Sequence, residues 1–192
     1  MRDQLKLLAA DAILTAAERV FIEEGLHAAK MEHIAARAGV AVGTLYNHFG
    51  DRAALLTALI NRRRDALLER IDSALHELKG RPFPEQLEGF FRTWFRFLEE
   101  HGSFVAAIHD AEDLETINKA KRAGREPAEQ RIKELIRRGV QMKALRPEMA
   151  EELPLMISGL LRIVSMRSDV LARKGQPVSE TMTDFVLRGA GA

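Results

Sequence analysis

From Leu55 to Leu78, apolar side chains return at helical spacing: Leu55, Leu56, Leu59, Ile60, Leu67, Ile71, Leu75 and Leu78. A stripe hidden once per turn over so long a stretch cannot alternate between the two faces of a sheet. Elsewhere the pattern is the same. Ile13, Ala16, Ala17, Val20 and Phe21 form one such stripe, and no stretch shows convincing two-residue alternation. The chain is therefore all-α, with about nine helices predicted.

Glycine and proline place the joints. Gly25 closes the first helix, Met31 to Ala38 forms a second that ends at Gly39, and Val42 to Phe49 forms a third. Asp51 is placed to cap the long fourth helix. Gly80, Pro82 and Pro84 then open a different body. Its expected helices are Glu85 to Glu100, Ser103 to Asp110, Leu114 to Met142, Glu148 to Lys174 and Ser179 to Arg188. A break is expected near Gly124 and Pro127. Residues 1–60 read as a small N-terminal bundle and 61–192 as a larger helical domain.

The chain has 192 residues and no cysteine, which removes disulfides, thiolate metal sites and a cysteine nucleophile and suits a reducing cytoplasm. The apolar stretch Leu153 to Leu161 contains Pro154 and is closed by Arg162, so no membrane span is expected. Asp3, Asp11 and Glu18 among the early leucines and alanines speak against a signal peptide. The net charge of +1 lacks the basic excess of many nucleic-acid binders, but a small basic head on a neutral body gives the same total.

Two short helices joined by a glycine turn, the second rich in polar and aromatic groups, suggest a helix-turn-helix. In that geometry the second helix protrudes and can enter a major groove. Ala35 and Ala38 allow close approach, and Gly39 tolerates a left-handed backbone. Hydroxyls, a phenol and an imidazole can donate to phosphate oxygens, Asn47 can take adenine in a bidentate contact, and Val42 can pack on a thymine methyl.

The segments "ILTAAERVFIEEG" and "MEHIAARAGVAVGTLYNHFGDRAALL" resemble the N-terminal signature of the TetR family of transcriptional regulators. The likeness is close over roughly Ile13 to Ile60. It implies that Val42 to His48 is the recognition helix, with Thr44, Tyr46 and His48 at phosphate-contacting positions. Val42, Gly43 and Asn47 match positions that approach base edges, and Arg52 replaces the usual lysine at the start of helix 4. The sequence departs from the family at Ala41 and Lys30, where hydroxyl caps usually stand. Lys30 adds a possible phosphate contact, and Glu32 favours the helix dipole while repelling a nearby phosphate. Arg62, Arg63 and Arg64 point different ways around a helix and read as a solvated face.

In the larger body, Phe90, Phe91, Trp94, Phe95, Phe97 and Phe104 crowd one segment that must be buried on several sides. Plain core accounts for much of it. The resemblance adds an effector cavity, for which Phe91, Trp94, Phe95, Leu98, Phe104, Ile108, Met142 and Met156 are candidates. It also implies a homodimer through the last two helices, from Ile157, Leu160, Leu161, Val164, Met182, Phe185 and Val186. His101, His109 and Asp113 invite a metal reading, but acidic residues there also suit a helix start, and no metal site is assigned.

No cofactor motif, phosphate loop or nucleophile with its base is visible, so an enzyme is not expected. The expected function is a ligand-responsive repressor that binds a palindromic DNA operator as a homodimer and is released by a small apolar or aromatic effector. The rivals are a small helical enzyme, which needs a reactive constellation, and an adaptor, which needs an exposed apolar patch in place of a polar recognition face.

Overall fold

The computed structural model describes residues 2–109, 114–165 and 177–192. They form α1 (Arg2–Glu24), α2 (Met31–Ala38), α3 (Val42–Phe49), α4 (Arg52–Glu77), α5 (Phe83–His109), α6 (Leu114–Gln141), a 3-10 turn at Pro147–Met149, α7 (Glu152–Ser165) and α8 (Val178–Ala190). The only extended pairing among the described residues is an isolated bridge, Leu145 with Gly191. The all-α expectation holds, and α2 and α3 have the predicted bounds.

Three joints differ from the sequence reading. α5 begins at Phe83, with Pro84 in its first turn where a missing N–H costs nothing, and it continues through Gly102. A glycine inside a helix costs about 1 kcal/mol, too little to break a run whose buried Phe97, Leu98, Phe104 and Ile108 lie on either side of it. α6 likewise runs through Pro127. The segment expected from Glu148 divides into the 3-10 turn and α7, and residues 166–174 of it lie outside the described residues.

The chain forms two compact units. One comprises Met1–Arg64 with Ser103–Ala123, the other Asp65–Gly102 with Gly124–Ala192. In the first, Ile13, Ala17, Phe21, Ile34, Leu45, Leu55 and Leu59 form one buried cluster that also holds Phe104 and Ile108. Asp51 caps α4 as expected, its Oδ1 accepting the Ala54 N–H at 2.7 Å.

In the second unit the aromatic residues of α5 supply much of the core. Phe90 meets Phe91 edge-on at 5.5 Å, and Phe91 stacks with Phe95 at 6.4 Å. Gly139 permits a close approach here. A Cβ at that position would lie 2.6 Å from Cζ of the buried Phe83, so α6 can meet that ring only with no side chain at 139. Among the described residues, no helix is long and apolar enough to cross a membrane.

Candidate nucleic-acid interface

The turn between α2 and α3 is built by Gly39. Its φ of 69° and ψ of 29° lie in the left-handed region, where a side chain is strained. The Val40 N–H donates to the Ala35 carbonyl at 3.0 Å and the Gly39 N–H to Ala36 at 3.2 Å, a Schellman closure that satisfies the end of α2. Val40 packs against the unit's core as the chain reverses into α3.

α3 has two unlike faces. Leu45 is fully buried, and Val42 and Phe49, one turn to either side, pack against the same core. Gly43, Tyr46 and Asn47 lie on the opposite face and are exposed, Tyr46 by 43%. Thr44 and His48 flank them, half-buried. The burial of Val42 leaves only part of its side chain for a partner. As the sequence predicts, neither Ala41 nor Lys30 makes a side-chain cap. The Thr44 N–H closes on the Ala41 carbonyl at 2.9 Å, which leaves the Val42 and Gly43 amides as the two that precede the first intrahelical bond.

Arg52 is less free than the sequence suggests. Its Nη1 donates to the His27 carbonyl at 3.3 Å, tying the start of α4 to the α1–α2 connection. Lys30 is exposed.

The expectation of a solvated arginine face at 62–64 is corrected. Arg62 donates to Thr15 Oγ1 at 3.2 Å and pairs with Asp11 at 3.1 Å, while Arg64 donates to Asn61 Oδ1 at 3.0 Å. Arg63 grips Glu18 with two groups, its Nε donating to Oε1 at 2.9 Å and its Nη2 to Oε2. Asp11, Thr15 and Glu18 recur along one stripe of α1 among apolar neighbours. That polar stripe was the available signal for a seam between α1 and α4. Across the α1–α2 side, Glu24 meets His33 at 3.2 Å and Glu23 meets Arg37.

Residues 13–59 match the family model of bacterial regulatory proteins of the tetR family. Over that segment the chain is similar to the TetR family of transcriptional regulators. It is 36% identical over 87 residues to the HTH-type transcriptional activator FasR of Mycolicibacterium smegmatis, covering 45% of this chain and 39% of that one. It is 31% identical over 102 residues to the HTH-type transcriptional repressor KstR2 of Mycobacterium tuberculosis, covering 51% of this chain and 48% of the other. The chain thus spans less than half the length of these two curated relatives.

TetR-family likeness in the fold extends further. The fatty acid degradation regulator FadR from Bacillus halodurans superposes with a TM-score of 0.76 at 22% identity, covering 93% of this chain and 92% of that one. A TetR-family regulator from Mesorhizobium loti gives 0.80 at 18%, covering 97% and 98%. The family consists of DNA-binding regulators and not enzymes.

The other site residues expected of a TetR-family chain are distributed as follows. Phe91, Phe95 and Leu98 are buried, and Trp94 is half-buried with its indole N–H 3.5 Å from Ser165 Oγ. Phe104 and Ile108 belong to the core cluster of the first unit. Met142 and Met156 are exposed. Of the expected dimer residues, Ile157, Leu161, Met182 and Val186 are buried within their own protomer, Leu160 and Val164 are half-buried, and Phe185 is 62% exposed. Leu155, Met156 and Ile163 are also exposed, along the other face of α7, and sequence reasoning did not assign them to an interface.

No group of three or more potential metal ligands converges among the described residues. The ring of His101 packs on Phe97 at 4.4 Å. Asp113 lies outside the described residues, as does the side chain of His109.

Proposed function

We propose that this protein is a homodimeric, ligand-responsive regulator that represses transcription by binding a palindromic operator. Its reading head lies within residues 1–60, and residues 61–192 carry effector binding and dimerisation. The observation that carries this reading is the two-faced α3, with Leu45 anchored and Gly43, Tyr46 and Asn47 open to solvent. A polar, protruding face on a short helix suits a major groove, and its flanking Thr44 and His48 suit phosphates. Operator binding requires the compartment that holds the chromosome, the cytoplasm.

A short recognition helix reads few base pairs, so specificity calls for two half-sites and hence two copies. Leu155, Met156, Gly159 and Ile163 recur on one face of α7, and Phe185 is exposed on α8. A second copy would bury this face in an isologous contact. Ile163→Asp is expected to convert the dimer to a folded monomer in sedimentation, with the helical signal unchanged. A dimer that survives this change places the interface elsewhere.

Relatives of this chain act with both signs, FasR as an activator and KstR2 as a repressor. Release from the operator by the effector follows from the geometry proposed here. Straight DNA presents half-sites one turn apart, roughly 34 Å, and an effector that favours a mismatched spacing must weaken binding. α4 is one continuous helix from Arg52 to Glu77, which suits it to carry that change. The aromatic wall around Phe91, Trp94 and Phe95 supports an apolar or aromatic effector.

Selection from random duplexes tests the whole reading, because it should yield a palindrome. Tyr46→Ala should then weaken all sequences alike, while Asn47→Ala relaxes preference at one base pair by about 1–3 kcal/mol. Identical binding profiles for the two variants would contradict this division of roles. Steep loss of affinity with rising salt separates the DNA reading from an enzyme or an adaptor.

A further inference from the structure

The second unit contains a cleft of about 450 Å³, within the size range of small-molecule sites. The end of α4, the start of α5 and the end of α6 line it. Of the candidate effector residues, only Met142 reaches it. Leu75, Leu135 and Met142 give it an apolar part.

Its charges are arranged unevenly. Asp72 and Glu134 are its carboxylates, the latter accepting from Gln130 at 3.1 Å. Lys79, Arg131 and Arg138 are its fixed cations, with His76 alongside. On one side Arg131 is neutralised by Asp72, which accepts its Nε at 3.2 Å and its Nη2 at 2.9 Å. Hydrogen bonding to Asp72 and that residue's charge hold the Arg131 guanidinium firmly protonated, with its pKa raised. On the other side Arg138 is held by an uncharged partner, Gln86, whose Oε1 accepts Nη1 at 2.9 Å.

Gln86 is only 1% exposed and is fixed at both ends. Its Nε2 donates to the Arg81 carbonyl at 2.7 Å and lies 3.7 Å from Met142 Sδ. A buried amide so bound orients the guanidinium without cancelling its charge. Among the described residues no carboxylate pairs with Arg138 or with Lys79, which also lines the cleft. An arginine oriented by a buried neutral group, beside a lysine and an apolar floor, is a receptor for an anion that has an apolar body.

We infer that this cleft binds a small organic carboxylate, its anion on Arg138 and Lys79 and its apolar part against Leu75, Leu135 and Met142. This deepens the effector part of the proposed function by supplying a charge requirement and a site apart from the aromatic wall. Binding here is measurable without DNA, so failure of this site and failure of the operator reading are separate results.

Calorimetric titration of the full chain with phenylacetate and 4-phenylbutyrate, each beside its matching alcohol, is the test. Saturable binding of an acid, with its alcohol at least about tenfold weaker, is expected, because a charge-assisted bond is lost. Arg138→Gln should weaken the acid by a similar factor. Gln86→Glu should do so while leaving Arg138 in place, because it supplies an internal carboxylate that occupies the guanidinium. Arg92→Gln, an exposed arginine outside the cleft, should leave acid binding unchanged. Circular dichroism establishes that each variant is folded. Acids that bind no better than their alcohols, or undiminished affinity in folded Arg138→Gln and Gln86→Glu, would overturn the assignment.

Discussion

Replacing Leu45 with alanine is expected to cost the N-terminal unit about 2–5 kcal/mol, the range for emptying a close-packed leucine site. Leu45 is fully buried, and it is the one residue of α3 to be so. An eight-residue helix is too short to persist by its own hydrogen bonds, so tertiary packing must hold it. Loss of this anchor should therefore loosen α3 as well as lower the unfolding midpoint. Hydrogen exchange should accelerate first at the amides of α3, and operator affinity should fall with it. Tyr46→Ala, on the open face of the same helix, should change stability by no more than about 0.5 kcal/mol. A Leu45→Ala protein as stable as the Tyr46→Ala protein would show that α3 is held by something other than this contact.

The second large effect is expected at the seam between α1 and α4. The Glu18 side chain is 9% exposed and that of Arg63 25%. Removing one partner of a buried pair strands the other, at a cost of about 3 kcal/mol. The two single changes should not be equal. Arg63→Ala leaves a carboxylate that is nearly enclosed, whereas Glu18→Ala leaves a long cation that can turn its head toward water. Arg63→Ala is therefore the more destabilising of the two in urea unfolding.

The double variant Glu18→Met with Arg63→Met should recover most of the loss, because two apolar chains of similar volume avoid the desolvation of two charges. Equal single-variant effects that simply add in the double variant would mean that the pair is not coupled. The seam also bears on function. Asp11, Thr15 and Glu18 of α1 hold Arg62 and Arg63 of α4, and α1 lies in the cluster that seats Leu45.

α2, α3 and their turn were legible in the sequence because each boundary rests on a local cause. Gly39 adopts a backbone that a side chain resists, and Asp51 can reach the amide three residues ahead wherever the chain goes afterwards. The exposed face of α3 was legible for the same reason. Spacing on a short helix decides which residues oppose Leu45.

Phe104 and the arginines at 62–64 were not legible in this way. Phe104 continues the aromatic run of α5 in sequence, yet it belongs to the core of the first unit. Period alone says that a residue is buried, not against what. Arg62 and Arg63 look solvated until α1 is present to offer Asp11, Thr15 and Glu18 from a segment about fifty residues earlier in the chain. Gln86 is ordinary in sequence and becomes informative only when α6 brings Arg138 to it.

Bonds and spacings within a few residues set the helical class, the turn geometry and the two faces of α3, so these could be read along the chain. Tertiary structure alone decided which buried rings share a core, which arginines are neutralised and which one is left charged in the cleft. Those outcomes depend on groups far apart along the chain, and no local pattern encodes the distance between them.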